Sequence, residues 1–93
     1  MEYRKFENNY VLRVDPGEEI VECVTKLCRD EGVNLASVSG IGAVKEVKMG
    51  VFLADTKEYH GEELCGNYEI VSLLGNVTRM EGEVYIYTLV HLL

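Results

Sequence analysis

Basic residues are scarce in this chain. Only 9 Lys and Arg stand against 16 Asp and Glu, for a net charge of −7 over 93 residues. Nonspecific affinity for nucleic acid comes from Lys and Arg neutralising phosphates. Here the densest basic group, Lys45 and Lys48, has Glu46 inside it. The balance argues against direct DNA binding and favours a soluble, anion-repelling surface. No apolar run approaches the ~20 residues needed to span a bilayer. The N-terminus, Met1-Glu2-Tyr3-Arg4-Lys5, lacks the apolar core of a signal peptide, so the expected location is the cytoplasm. Cysteine is sparse as well: Cys23, Cys28 and Cys65 are odd in number and form no C-x-x-C pair, which reads as reduced, semi-buried thiols. His60 and His91 are the only histidines. A zinc site takes three or four ligands, so one copy of the chain cannot build one from histidine. Three copies of His91 around a symmetry axis would supply the number.

What is present describes one small domain over residues 1–93, of a size at which oligomerisation often supplies missing core. Tyr10-Val11-Leu12-Arg13-Val14 alternates as a strand does. Asp15-Pro16-Gly17-Glu18 follows, with a capping residue, a proline suited to the first helical position and a carboxylate three residues on. Ile20, Val21, Val24, Leu27 and Cys28 then recur at helical spacing, and Gly32 is a natural C-cap. A helix over about 16–31 is expected.

Beyond it the pattern is β. Leu35-Ala36-Ser37-Val38-Ser39 leads into a turn at Gly40–Gly42, then a long alternating segment runs through Val44, Val47, Met49, Val51 and Leu53. Asp55-Thr56-Lys57 reads as a turn and Glu58-Tyr59-His60 as a short strand. Tyr68–Leu74 and Val84–Leu93 are further strands, with a hairpin signal at Met80-Glu81-Gly82-Glu83. The expected fold class is α+β: a mostly antiparallel, curved sheet packed with one main helix. Val84–Leu93 is apolar on both faces, so it is expected in the middle of a sheet or at a subunit contact.

Three blocks carry a resemblance: Tyr10–Glu19, Ser39-Gly40-Ile41-Gly42-Ala43-Val44, and Gly66-Asn67-Tyr68-Glu69-Ile70-Val71-Ser72-Leu73-Leu74-Gly75-Asn76. In this order, over about residues 10–87, they resemble the plants-and-prokaryotes conserved (PPC) domain family. The third matches that family's G-x-[FY]-E-[IL]-x-S-L-x-G segment. The resemblance implies an α+β domain that forms trimers and mediates protein association, with itself and with other proteins. Free-standing prokaryotic members carry a DNA-binding label by analogy. Departures are informative. The chain has no AT-hook and no basic arm for the minor groove. Many bacterial members carry a His-x-His that looks like a metal site; here the strand reads Tyr85-Ile86-Tyr87-Thr88-Leu89, and His91-Leu92-Leu93 is the only echo of the family's later histidine. The chain reads as a shortened member.

The resemblance and the residue types together nominate Gly40, Gly42, Gly66, Glu69, Ser72 and Gly75 as binding residues, and no catalytic residue. Gly40 and Gly42 do not form a phosphate cradle: the third glycine of G-x-G-x-x-G is Lys45 and a strand follows where a helix is needed. Glu69 is a carboxylate in an apolar strand, so it is expected either paired, with Arg13 or a backbone turn, or at a ligand or partner contact. An acid–base role lacks a second group. The six tyrosines, Tyr3, Tyr10, Tyr59, Tyr68, Tyr85 and Tyr87, suit sheet or interface positions. The expected function is a non-enzymatic homotrimeric association module without cofactor. The alternative is a metal- or small-molecule-binding protein, with zinc or another divalent ion held in an intersubunit cleft around Glu69 and His91.

Overall fold

A computed structural model describes the backbone of residues 1–93; the side chains of Met49, Val51, Phe52, Leu53 and Tyr59 lie outside the described set, and with them the expected alternation at Met49, Val51 and Leu53 and the sheet role of Tyr59. The order is β1 (Glu2–Phe6), β2 (Asn9–Arg13), α1 (Ile20–Glu31), β3 (Ala36–Leu53), β4 (Glu58–Met80) and β5 (Glu83–Leu92). β1 and β2 form an antiparallel pair, and β3-β4-β5 form a three-stranded sheet in that order. The fold class is α+β. The chain divides into two units, Met1–Ser37 with Gly75–Tyr87, and Val38–Leu74 with Thr88–Leu93.

The first unit departs from expectation at both ends of the opening segment. The polar N-terminus is strand β1, joined to β2 by a tight turn in which Glu7 takes a positive φ of 55°. Tyr3 and Tyr10 stack edge to face at 6.2 Å. Their hydroxyls donate to the two oxygens of Glu31, at 3.2 and 3.3 Å, which ties the hairpin to the end of α1.

Helix α1 begins at Ile20, four residues later than expected, and Asp15 is not its cap. Gly17 has φ +88°, which no right-handed helix accommodates, so Asp15-Pro16-Gly17-Glu18 closes a β-turn with Pro and Gly at its two central positions. The Glu18 N–H donates to the Asp15 carbonyl at 3.1 Å, and the Asp15 N–H donates to the Glu18 carboxylate at 2.8 Å. The cap is Glu19, whose carboxylate accepts from the Glu22 N–H at 2.7 Å. Gly32 ends the helix in the left-handed conformation, as expected. Cys23, Leu27 and Cys28 of the helix, and Val77 of β4, are the buried apolar side chains of this unit among the described residues.

In the sheet, fewer and longer strands replace the expected ones. There is no turn at Gly40–Gly42: β3 runs through it, with Gly42 at φ +154°. Glu58–His60 is not a short strand but the start of β4, 23 residues long, which also contains Gly66 and Gly75. Small residues here let the strand backbone deviate locally instead of reversing it. The Asp55–Lys57 turn and the Glu81–Gly82 hairpin occur as expected; in the hairpin both central residues have positive φ, 53° and 82°, as a type I′ loop requires.

β4 also carries an extra residue. The Glu69 and Leu93 backbones exchange both hydrogen bonds, at 3.1 and 2.9 Å. Counted back from the two-residue turn, twelve residues (Glu69–Met80) therefore lie opposite eleven (Glu83–Leu93). Burial locates the surplus. β5 alternates without a break, whereas in β4 the covered positions slip from even (Tyr68, Ile70, Ser72) to odd (Leu73, Gly75, Val77). The bulge is at Ser72–Leu73, facing Val90.

Candidate functional site

β5 is an edge strand, not a central one, and only one of its faces is covered. That corrects the expectation of burial on both sides within the sheet. Its odd-numbered side chains stand exposed, and the register derived above sets them beside those of β4. In the second unit, Leu89 lies across from Leu74, His91 across from Val71, and Leu93 across from Glu69. All six are exposed, Leu89 at 62 % and Leu93 at 81 %. On β3 of the same unit Ile41 is exposed at 86 %. Ile41, Val71, Leu74, Leu89 and Leu93 thus give this unit several exposed apolar side chains.

Glu69 belongs to this exposed face. Arg13 does not pair with it: its guanidinium contacts Glu2 at 2.9 Å and Asp15 at 3.1 Å. The Glu69 side chain has no ion pair among the described residues; its fixed contacts are the backbone bonds to Leu93. The physical reason is strand parity. Tyr68 and Ile70 take the covered side, which turns Glu69 outward, where a carboxylate needs no partner. Glu69 and His91 are diagonal neighbours across the β4–β5 ladder on this face, a spacing of about 7–8 Å.

The other nominated residues lie elsewhere. Ser72 and Gly75 are half-buried positions on the covered side of β4, Ser72 at the bulge. Gly66 is an exposed strand residue at φ +143°, and the Tyr68 ring lies 3.5 Å from where its Cβ would be. A Cβ on Gly40 would touch the Leu73 side chain at 4.0 Å, so β3 passes close to β4 there. Gly42 has nothing within 4 Å of such a Cβ. Gly40 and Gly42 lie within β3, and Gly66 and Gly75 within β4.

Three further groups escaped the sequence reading, all in the first unit. The Met1 ammonium donates to Glu18 at 2.6 Å and lies 3.3 Å from Asp15. The hydrogen bond it donates to Glu18 raises the pKa of the amine, and the ammonium in turn lowers those of Glu18 and Asp15. Arg79 of β4 donates through Nη2 to the Val33 carbonyl at 3.0 Å and through Nη1 to the Gly82 carbonyl at 3.5 Å. Its Nε is buried without a hydrogen-bond partner among the described residues. The third group is the Tyr3–Tyr10–Glu31 cluster. The sequence signal for Arg79 was parity: counted from Leu73 and Val77 it takes an inward place. Cys23 and Cys28 are buried, which pushes both thiols up, while Cys65 is exposed; all three are free. An open, acidic depression of ≈ 660 Å³ beside α1 is lined by Met1, Glu18, Glu19, Glu22, Lys26 and Asp30 and holds none of the nominated residues. No group of three or more metal-ligating side chains occurs among the described residues. Among the described residues, no helix is long and apolar enough to cross a membrane.

Comparison with known proteins places this geometry. A family model, the Plants and Prokaryotes Conserved (PCC) domain, matches residues 1–92. A candidate DNA-binding protein of Bacteroides thetaiotaomicron, solved as a crystal structure, is 30 % identical with a TM-score of 0.92, over 98 % of this chain and 64 % of its own. A plant- and prokaryote-conserved (PPC) protein of Pyrococcus horikoshii is 41 % identical with a TM-score of 0.82, over 87 % of this chain and 57 % of its own. A metal-containing protein of Archaeoglobus fulgidus is 33 % identical with a TM-score of 0.83, over 87 % and 58 %. The chain thus spans less than two thirds of the length of these relatives. No curated protein matches it.

Proposed function

The chain belongs to the Plants and Prokaryotes Conserved domain family, and from that premise we propose that it is a non-enzymatic association module that assembles as a homotrimer in the cytoplasm. The observation that carries the reading is the exposed apolar face of the second unit, formed by Ile41, Val71, Leu74, Leu89 and Leu93. Covering that face with further copies removes several large side chains from water, each worth about 1.5–3 kcal/mol when fully buried. A chain of 93 residues gains proportionately more from such burial than a large one does. A link to DNA, suggested by the Bacteroides relative's description, would run through other proteins bound to the module, because a net charge of −7 opposes direct phosphate contact.

Native mass spectrometry of the purified chain and of Leu89→Asp tests this. The expected result is three chains for the parent and one for the variant, since a carboxylate cannot be buried unpaired in an apolar contact. An unchanged mass for Leu89→Asp, or a single-chain parent, overturns it.

A second reading rests on the diagonal placement of Glu69 and His91 and on the metal-containing Archaeoglobus relative. Two side chains are too few for a structural zinc site, so the ion would be shared between copies. The residue types fit zinc, which accepts both imidazole and carboxylate. The reading predicts extra mass equal to one divalent ion per assembly, lost in His91→Ala; metal-free trimers in zinc-supplemented buffer overturn it.

A further inference from the structure

Among the described residues, strands β1 and β2 pair only with each other, and no main-chain hydrogen bond joins them to another element. None of their side chains is fully buried; Tyr3, Tyr10 and Leu12, on the inner face, are half-buried. Side-chain contacts hold the hairpin at two places. At one, Arg13 and the Met1 ammonium meet Asp15, and the ammonium also meets Glu18, in the turn that precedes α1. At the other, the Tyr3 and Tyr10 hydroxyls donate to the two oxygens of Glu31, the last residue of α1. The hairpin is thus rooted at the start of the helix and tied at its finish.

Between these points hairpin and helix are not packed flush. The open depression of ≈ 660 Å³ lies between Tyr3 on one side and Glu22, Cys23, Lys26 and Asp30 of α1 on the other. Cys23 is 7 % exposed there. Cys28 stands five residues on, about 140° further around the helix axis. It feels the positive charge of Arg79 on β4. The two buried thiols of one helix therefore have different covers: the hairpin side for Cys23, the β4 side for Cys28.

We propose that the β1–β2 hairpin is a hinged strap over α1, latched by the two tyrosine hydroxyls on Glu31, and that its opening uncovers Cys23 while the core around Leu27, Cys28 and Val77 stays closed. The hairpin carries its own ladder of hydrogen bonds, so it swings as one piece. The latch opens at small cost, because Glu31 is exposed and water replaces the bonds its carboxylate loses. Latched, the strap shields the Cys23 thiol from oxidants and electrophiles; unlatched, it admits them. Every group in this device belongs to the first unit, so it does not depend on the association reading.

Pulsed labelling of the full, folded chain with iodoacetamide, read by peptide mass spectrometry at each cysteine, tests the strap in Glu31→Ala and in the double variant Tyr3→Phe with Tyr10→Phe. Exposed Cys65 gives the intrinsic rate of the reagent, and Cys28, 2 % exposed, reports opening of the core. The expected result is a rise of about fivefold in Cys23 labelling in either variant, the equivalent of one net hydrogen bond, with Cys28 unchanged. Both variants break the same latch, so combining them should add nothing further. Equal acceleration of Cys23 and Cys28 overturns the strap in favour of general destabilisation. An unchanged Cys23 in both variants overturns it as well, and a response confined to Glu31→Ala overturns the part assigned to the tyrosines. Should Glu31→Ala fail to fold, the phenylalanine pair, which keeps both rings for their edge contact, still decides.

Discussion

Arg79 holds together two segments far apart in sequence. Its guanidinium meets the Val33 carbonyl, just past the end of α1, and the Gly82 carbonyl in the β4–β5 turn. Both acceptors are main-chain oxygens, and the planar fork of arginine reaches two of them at once where a lysine ammonium reaches one. The positive charge also complements the carbonyl end of the helix. Arg79→Lys should therefore cost about 1–2 kcal/mol, close to Arg79→Met, with the loss read as a lower urea midpoint at unchanged slope. A lysine variant as stable as the parent would show that charge alone suffices. Burial of the nearby Cys28 thiol, already pushed up in pKa, makes it inert toward alkylating reagents in the folded chain, whereas exposed Cys65 should react at once. A thiol titration under native conditions should count one reactive group of the three.

Helix α1 shows how a start signal can be satisfied by something other than a helix. Asp15, Pro16 and Glu18 occupy the places that a capping box and an N1 proline would, and Glu18 does return a bond to the Asp15 N–H. Yet Gly17 at φ +88° diverts the chain, and the same residues become a turn. Glu19 then caps the helix through Glu22. The consequence is testable by mutation: Glu19→Ala should destabilise by about 1 kcal/mol and Glu19→Ser should largely restore stability. If Asp15→Ala proved the more helix-disrupting change by circular dichroism, the cap would be misassigned. The long strands carry a related lesson. Gly42 and Gly66 suggest reversals in one dimension, but each sits inside a strand, with Tyr68 lying over the bare backbone of Gly66. A glycine announces conformational freedom, not the use made of it.

For the whole molecule, the Met1 ammonium joins the N-terminus to the turn before α1 and makes stability depend on pH at both extremes. The amine is raised by Glu18, so its contribution is complete below its unfolded value of about 8 and is lost as pH rises through the higher folded value. Glu18 and Asp15 are lowered by the ammonium, so theirs is complete above about 4.5 and is lost as pH falls through their lower folded values. Thermal unfolding should thus show a plateau between about pH 5 and 8 with a decline on each side. Acetylating the N-terminal amine should flatten the alkaline decline, and a decline unaffected by acetylation would remove this contact from the account. With its two carboxylates partly open to solvent, the cluster should also weaken in high salt.

Local spacing was enough to read the amphipathic stripe of α1, its Gly32 end, the hairpin at Met80–Glu83, the β character of all that follows residue 35, and the family, because each depends on neighbours within a few positions. Which strand lies at an edge, which face of β4 carries Glu69, where the Ser72–Leu73 bulge shifts the register and which partners Arg13 and Arg79 choose were decided in tertiary structure. Those depend on pairing between distant segments, and a single-residue slip reverses every side chain that follows it.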